Sequence, residues 1–380
     1  MGGTCELSKY PFPFFKYLFC WLCNPGSTLH LCGMAFRAKN RFFWVGILLL
    51  AGVFFFCPGC KSPSAEQLAQ RGFYFWKTRY HPDSTELAAL HDLQVKQLYV
   101  RFFDVALSAD KQQAAPVGML RAAVPFPENI VITPVVFITP EVLLAPNFDP
   151  DVLAGKMADL LQKLGGKYPY TSSEIIQIDC DWTTETREAY FTLLEALKKQ
   201  TVFEDKKLSV TIRLHQIKFA AVAGIPPADR GLLMCYNMGN LRDPAANNSI
   251  IDPETFSKYI QRAADYPLPL DAALPLFDWW VWFKNKEYYG LIHAGNLPET
   301  MAGGKTTRFK TDTSINGYAF EKGDWIRHEN SPIKSLEAII KRMPEKMRSA
   351  KNSLLLYHLD SASLSKYTTH ELENLYRSFH

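Results

Sequence analysis

The chain predicts an α/β fold, a single TIM-like (β/α)8 barrel over residues 72–380 with a long insertion after the seventh strand. Three observations carry this. Short continuous apolar runs recur eight times, helical patterns separate most of them, and no Gly/Ser/Pro-rich linker divides residues 61–380. Continuous apolar strands alternating with helices describe a parallel sheet covered on both faces. Eight such units in about 310 residues fit one barrel. With 47% hydrophobic and 21% charged residues, the chain is too apolar for intrinsic disorder.

The elements follow in order. The aromatic run 72–76 is the first strand, and Asp83-Ser84-Thr85-Glu86 starts a helix that continues to residue 95. Residues 98–103 and 130–138 are the second and third strands. Asp149-Pro150 opens a helix through 164 that Gly165-Gly166 closes. Residues 175–180 are the fourth strand, and 186–199 form a helix with Tyr190, Leu193, Leu194 and Leu197 on one face. The fifth to eighth strands are 208–214, 232–236, 274–277 and 354–358, with helical patterns at 253–264 and 333–343. Residues 279–326 are long and weakly patterned, which suits an inserted loop or hairpin instead of one helix. Their Gly303-Gly304-Lys305 is no phosphate loop, because Glu299 stands where the earlier glycine is required.

The N-terminus reads as an address. From Met34, the cations Arg37, Lys39 and Arg41 precede an apolar run at 42–56, then Cys57-Pro58-Gly59-Cys60 and a polar stretch. The run is shorter than a bilayer span, so residues 34–59 are expected to be a cleaved signal peptide. Gly59 before Cys60 resembles the bacterial lipobox, which makes Cys60 the expected lipidation site and 60–71 a tether. Residues 1–33 are then an upstream extension, with Met34 the natural start. The expected location is the bacterial cell envelope, with the protein held to a membrane through a lipid anchor. The first 59 residues carry five of the 42 Lys and Arg and one of the 38 Asp and Glu, so the remainder carries 37 of each. A neutral body argues against a nucleic-acid partner. Cys180 and Cys235 lie in apolar runs and are expected as small core residues.

In barrels of this kind, function gathers where the strands end at the C-terminal rim. Those positions hold Trp76 after the first strand, Arg101 and Asp104 at the second, and Asp179, Asp181 and Trp182 at the fourth. Arg213 and His215 end the fifth, Tyr236 and Asn237 the sixth, Asp278, Trp279 and Trp280 the seventh, and Tyr357, His358 and Asp360 the eighth. One Asp after a strand is an ordinary helix cap. Their recurrence at nearly every strand predicts a polar, Trp-lined cleft.

The segment Ile178-Asp179-Cys180-Asp181-Trp182 resembles the core of the DxxDxDxE signature of family-18 glycoside hydrolases, the chitinase-like barrels. Met234-Cys235-Tyr236-Asn237 resembles that family's Met-x-Tyr-Asp segment. Alternation along a strand puts Asp179 and Asp181 on one face. The resemblance implies Asp179, Asp181 and Tyr236 as catalytic residues and the other rim residues as substrate contacts, with a glycan or glycoconjugate as ligand. Three positions depart from it. Ile176 stands for the first Asp, Thr183 for the catalytic Glu, and Asn237 for the Asp of the sixth strand. A threonine hydroxyl cannot act as a general acid near neutral pH.

Two readings follow: a barrel that binds or hydrolyses a glycan, and a non-catalytic surface lipoprotein that uses an eroded barrel as an assembly scaffold. A metal-dependent hydrolase using Asp179, Asp181, His215 and His358 lacks any close His/His or His/Asp motif. No metal or other cofactor is therefore expected.

Overall fold

The computed structural model describes residues 70–108, 113–170, 172–298, 300–301, 305–349 and 351–379. The expected extension, signal peptide, Cys60 and most of the tether lie outside the described residues.

Eight parallel strands close into a barrel: β1 (Gln70–Phe75), β2 (Gln97–Leu107), β3 (Val131–Ile138), β4 (Ile175–Cys180), β5 (Lys207–Arg213), β6 (Arg230–Met234), β7 (Leu270–Pro275) and β8 (Ser353–Tyr357). Neighbours pair in chain order, and β1 joins both β2 and β8 to complete the ring. Two glycines mark tight spots between strands. A Cβ on Gly72 would sit 3.2 Å from the Gln97 carbonyl oxygen, and one on Gly231 would sit 2.9 Å from Leu270 and closer still to Ile212.

The helices cover the outside of the ring. Helix α1 (Ser84–Asp92) starts with a capping box in which Asp83 accepts from the Glu86 amide and Glu86 accepts from the Asp83 amide. Helix α2 (Pro150–Gly165) is capped by Asp149 and buries Leu153, Ala154, Met157 and Leu161. Helix α3 (Arg187–Lys198) buries the expected face of Tyr190, Leu193, Leu194 and Leu197. Helices α4 (Pro253–Ile260) and α5 (Ile333–Arg342) bury Phe256 and Ile260, and Leu336, Ile339 and Ile340. A sixth helix, α6 (Thr369–Ser378), seals the barrel behind β1 through Arg71, which makes a two-pronged ion pair with Glu373. Cys180 and Cys235 are buried free thiols.

The insertion is a small antiparallel sheet. Trp279–Lys284 lies between Glu287–His293 and Trp325–Glu329, and Thr306–Arg308 pairs with the latter. A hairpin of Thr313–Ile315 and Tyr318–Phe320 turns through Asn316 and Gly317, with φ of 48° and 87°. These positive angles suit Asn-Gly in a two-residue turn. The sheet has its own core of Trp280, Trp282, Ile292, Leu297, Phe309, Phe320 and Ile326. Trp282 donates its indole N–H to Asp324 at 3.0 Å.

Candidate carbohydrate cleft

Residues of β4 that face inward meet those of β5 in three polar rungs. Gln177 lies opposite Ser209 and donates to its Oγ at 3.1 Å, while the Tyr74 hydroxyl donates to Gln177 Oε1 at 2.5 Å. One rung higher, Thr211 Oγ1 donates to Asp179 Oδ1 at 2.6 Å. At the mouth, Arg213 grips Asp181 with both prongs of its guanidinium, Nε to Oδ1 at 2.5 Å. The period-2 alternation of the strands makes this ladder, since every second residue returns to the inside.

The rungs differ in their electrostatics. Asp179 is 4% exposed, and burial, reinforced by the charge of Asp181, raises its carboxyl to about 6 against the pull of Thr211, Arg213 and Arg101. Burial also pushes the phenols of Tyr74, Tyr236 and Tyr357 up, so they remain neutral donors. Tyr357 is the hub of an aromatic floor, its ring 5.5 Å from Tyr74 and Tyr236, 5.8 Å from Trp76 and 5.9 Å from Phe277. Arg101 lies over Trp76 at 5.5 Å and is held by Asp104.

Asp181, Arg213, His215, Tyr236 and Asn237 line one cavity of ≈ 320 Å³ at the ends of β4, β5 and β6, together with Thr183. Burial and the adjacent Arg213 lower the pKa of His215. Asn237 takes a left-handed conformation, φ 54°, that suits Asn. Asp278 and Asp360 line a different cavity of ≈ 600 Å³, between the ends of β7 and β8 and the inserted sheet. Trp279 is half-buried; its ring meets Phe277 at 5.2 Å and its indole N–H donates to Glu329 at 2.8 Å.

Two expected stacking platforms are not available as such. Trp182 is 2% exposed, stacks on Tyr190 at 5.3 Å and donates to the Ala223 carbonyl. It follows Asp181 in the chain and so points to the other side, among the helices. Trp280 is 1% exposed in the core of the insertion, against His328.

Thr183, at the position of the missing glutamate, is engaged locally. Its amide donates to Thr186 Oγ1 at 2.8 Å in the turn that starts α3. Four of the five carboxylates expected at the rim also have a base, and the fifth, Asp179, has the Thr211 hydroxyl instead. Asp104 has Arg101, Asp181 has Arg213, Asp278 has His328 and Lys366, and Asp360 has Lys77. Burial opposes ionisation of Asp278 and Asp360, but these partners hold both carboxyls below the ordinary range. Sequence reasoning missed Gln177, Ser209, Thr211, His328 and Lys366, whose parts depend on pairing between distant segments. Among the described residues, no group of three His, Cys, Asp or Glu has the geometry to hold a metal ion.

The closed ring of eight parallel strands has the fold of chitinase-like (β/α)8 barrels. Solved structures with this fold include the chitinase of Chromobacterium violaceum, 13% identical with a TM-score of 0.50, covering 82% of this chain and 98% of that one. The spore cortex-lytic enzyme SleL of Bacillus megaterium is 14% identical with a TM-score of 0.50, covering 82% and 73%. Catalytic domain 2 of the Group II chitinase of Ostrinia furnacalis is 10% identical with a TM-score of 0.50, covering 81% and 95%. At these identities the likeness is one of fold. No family model and no curated sequence matches the chain.

Proposed function

We propose that the protein is a glycan-binding barrel that does not cleave its ligand, carried on a lipid-anchored envelope protein through Cys60. The observation that carries this reading is Thr183 at the acid position, together with the pairing of Asp104, Asp181, Asp278 and Asp360 with bases and the burial of Asp179. Hydrolysis of a glycosidic bond needs a proton donor that reaches the leaving oxygen, with a second carboxylate or the substrate's own N-acetyl oxygen to attack or stabilise the sugar. Asp179 holds a proton near pH 6, but it lies beneath the Asp181–Arg213 pair. Trp76, Phe277 and Tyr357, the partly exposed members of the aromatic floor, offer apolar faces for pyranose rings, and Arg213, His215, Tyr236 and Asn237 offer hydrogen bonds to hydroxyl and N-acetyl groups. The Ostrinia domain was solved with penta-N-acetylchitooctaose, which makes N-acetylhexosamine oligomers the first ligands to try.

The test is the full chain in detergent against N-acetylhexosamine-containing and neutral glycans, with binding and reducing-end release recorded on the same samples. Binding without release is the expected result. Release that disappears in Asp179→Asn would make the protein a hydrolase with a displaced acid, and neither binding nor release would favour the scaffold reading.

A further inference from the structure

The base of the barrel, where the strands begin, carries cations that have no carboxylate to answer them. Residues 341–351 hold five Lys or Arg and one Glu. This loop leads into β8 at Ser353, which stands beside Gln70, the first residue of β1. Lys96 flanks the same point from the other side. Its amide donates to the Arg71 carbonyl at 2.9 Å, and the next residue, Gln97, bonds the Gln70 side chain.

Lys96, Lys346 and Lys351 are exposed, and Arg348 is half-buried. Lys346 Nζ donates to the carbonyls of Ala264 and Tyr266 at 3.0 and 3.3 Å, and Arg348 Nε donates to that of Met343 at 3.2 Å. Peptide oxygens thus fix these two charges in place without cancelling them. The acids around them are engaged elsewhere: Glu373 with Arg71 and Arg377, Asp271 with Arg230, and Glu254 with Arg342. Further round the base the charges cancel in pairs, Lys198 with Asp229 and Lys207 with Glu174. Among the described residues, none of Lys96, Lys346, Arg348 and Lys351 is ion-paired with a carboxylate, and Glu345 is the one acid in their loop. The patch is therefore positive on a body whose charges otherwise balance.

Its place matters as much as its charge. Cys60 lies ten residues before Gln70, so a lipid on Cys60 holds this end of the barrel within ~36 Å of the bilayer. A tether of that length leaves the orientation of the barrel open. Cations that come within a Debye length of the surface, ~8 Å at physiological salt, are drawn to anionic lipids and close that freedom.

We infer that Lys96, Lys346, Arg348 and Lys351 form a docking surface for an anionic lipid bilayer, which sets the barrel base down and turns the rim and its cleft away from the membrane. The orientation rests on the lipid anchor at Cys60 proposed above; the charge of the patch does not. One anchor beside a polybasic patch makes a two-signal attachment. A nucleic acid also attracts cations, but the tether brings the bilayer, and no other polyanion, to this end of the chain.

Lysine acetylation of the full chain held in vesicles tests this. On phosphatidylcholine and phosphatidylglycerol in equal parts, Lys96, Lys346 and Lys351 are expected to react several-fold more slowly than on phosphatidylcholine alone. Lys156, exposed on the rim half of α2, reacts at the same rate on both. The difference disappears at about 1 M salt, where the Debye length falls to ~3 Å. The side chains of Lys96 and Lys351 make no hydrogen bond or ion pair among the described residues, so Lys351→Gln leaves the fold intact. It weakens the patch about fivefold, read as lost protection of Lys96 and Lys346, and Lys156→Gln changes nothing. Equal rates on the two vesicles would overturn the inference and leave the anchor standing, as would slowing of Lys156 in place of the base lysines. Protection by dissolved RNA as strong as that by the mixed vesicles would overturn the lipid assignment. A Cys60→Ala chain that fractionates with membranes as wild type does would overturn the orientation alone, because the mixed vesicles still decide the patch.

Discussion

Asp179→Asn tests the electrostatics of the barrel interior directly. In the folded protein the carboxyl titrates at about 6, against an ordinary value of 3.8, because burial penalises its charged form. Between those two pH values the folded chain holds a proton that the unfolded chain has released, so raising the pH favours unfolding. The penalty is absent below the ordinary value, grows as pH rises, and is complete above about 6. At ~1.4 kcal/mol per pH unit it reaches ~3 kcal/mol. Asparagine keeps an acceptor for Thr211 Oγ1 and carries no charge. Its amide N–H groups need partners of their own, which costs ~1 kcal/mol. The variant should therefore be about 2 kcal/mol more stable than wild type at pH 8, and no more stable at pH 4. Urea denaturation of both proteins at pH 4, 6 and 8 measures this. A stability difference that stays constant with pH would refute the argument, as would a variant less stable than wild type at pH 8.

Four further outcomes are expected. Asp271→Ala leaves the guanidinium of Arg230 without its carboxylate, with only a long bond to the Lys351 carbonyl, and also frees the Ser353 amide, so it should cost ~3–5 kcal/mol in urea denaturation. Gly231→Ala forces a methyl group against Ile212 and Leu270 and should cost ~1–3 kcal/mol, read from the thermal midpoint. Thr183→Glu restores the missing carboxyl but leaves Asp181 held by Arg213, so no reducing ends should appear with N-acetylglucosamine oligomers; their release would show that the ion pair does not block catalysis. Cys60→Ala should move the protein from the membrane to the soluble fraction on cell fractionation, and retention in the membrane would discard the lipid anchor.

The strands were readable because burial on both faces leaves few polar interruptions. The run at 175–180 coincides with β4, Ile175–Cys180. The sixth and seventh strands begin earlier than their apolar runs, since Arg230 and Asp271 form a pair at the base and so admit charges into strand interiors. Helix α6 escaped notice because its exposed face is strongly polar and only Leu372, Leu375 and Tyr376 are buried. The rim was readable as a set of positions but not as an arrangement. Alternation already places Trp182 opposite Asp181, and the sequence reading did not apply it. The rim residues fall into two cavities, Asp278 and Asp360 beside the insertion and Asp181, Arg213 and Tyr236 at β4–β6, a division that no local pattern carries. The grip of Arg213 on Asp181 depends on the register between β4 and β5, which no local pattern reveals.

The closure of the ring by β1 has a consequence for self-association. The ring of eight strands has no open flank of its own, and among the described residues the one edge on its sheet is Ala114–Val117, a four-residue strand antiparallel to the outer part of β2 that Pro116 protects from docking. Longer open edges lie on the inserted sheet, whose outermost strands are Glu287–His293 and Thr306–Arg308. The first displays Tyr289 and Leu291 to solvent, 58% and 43% exposed. It also carries devices that discourage docking: Glu287 at its start, Gly290 in its middle, and an irregularity of register opposite Trp282 and Phe283 that twists the strand. Aggregation of this protein should therefore start at the insertion, and a lysine in place of Leu291 is the substitution that would protect it.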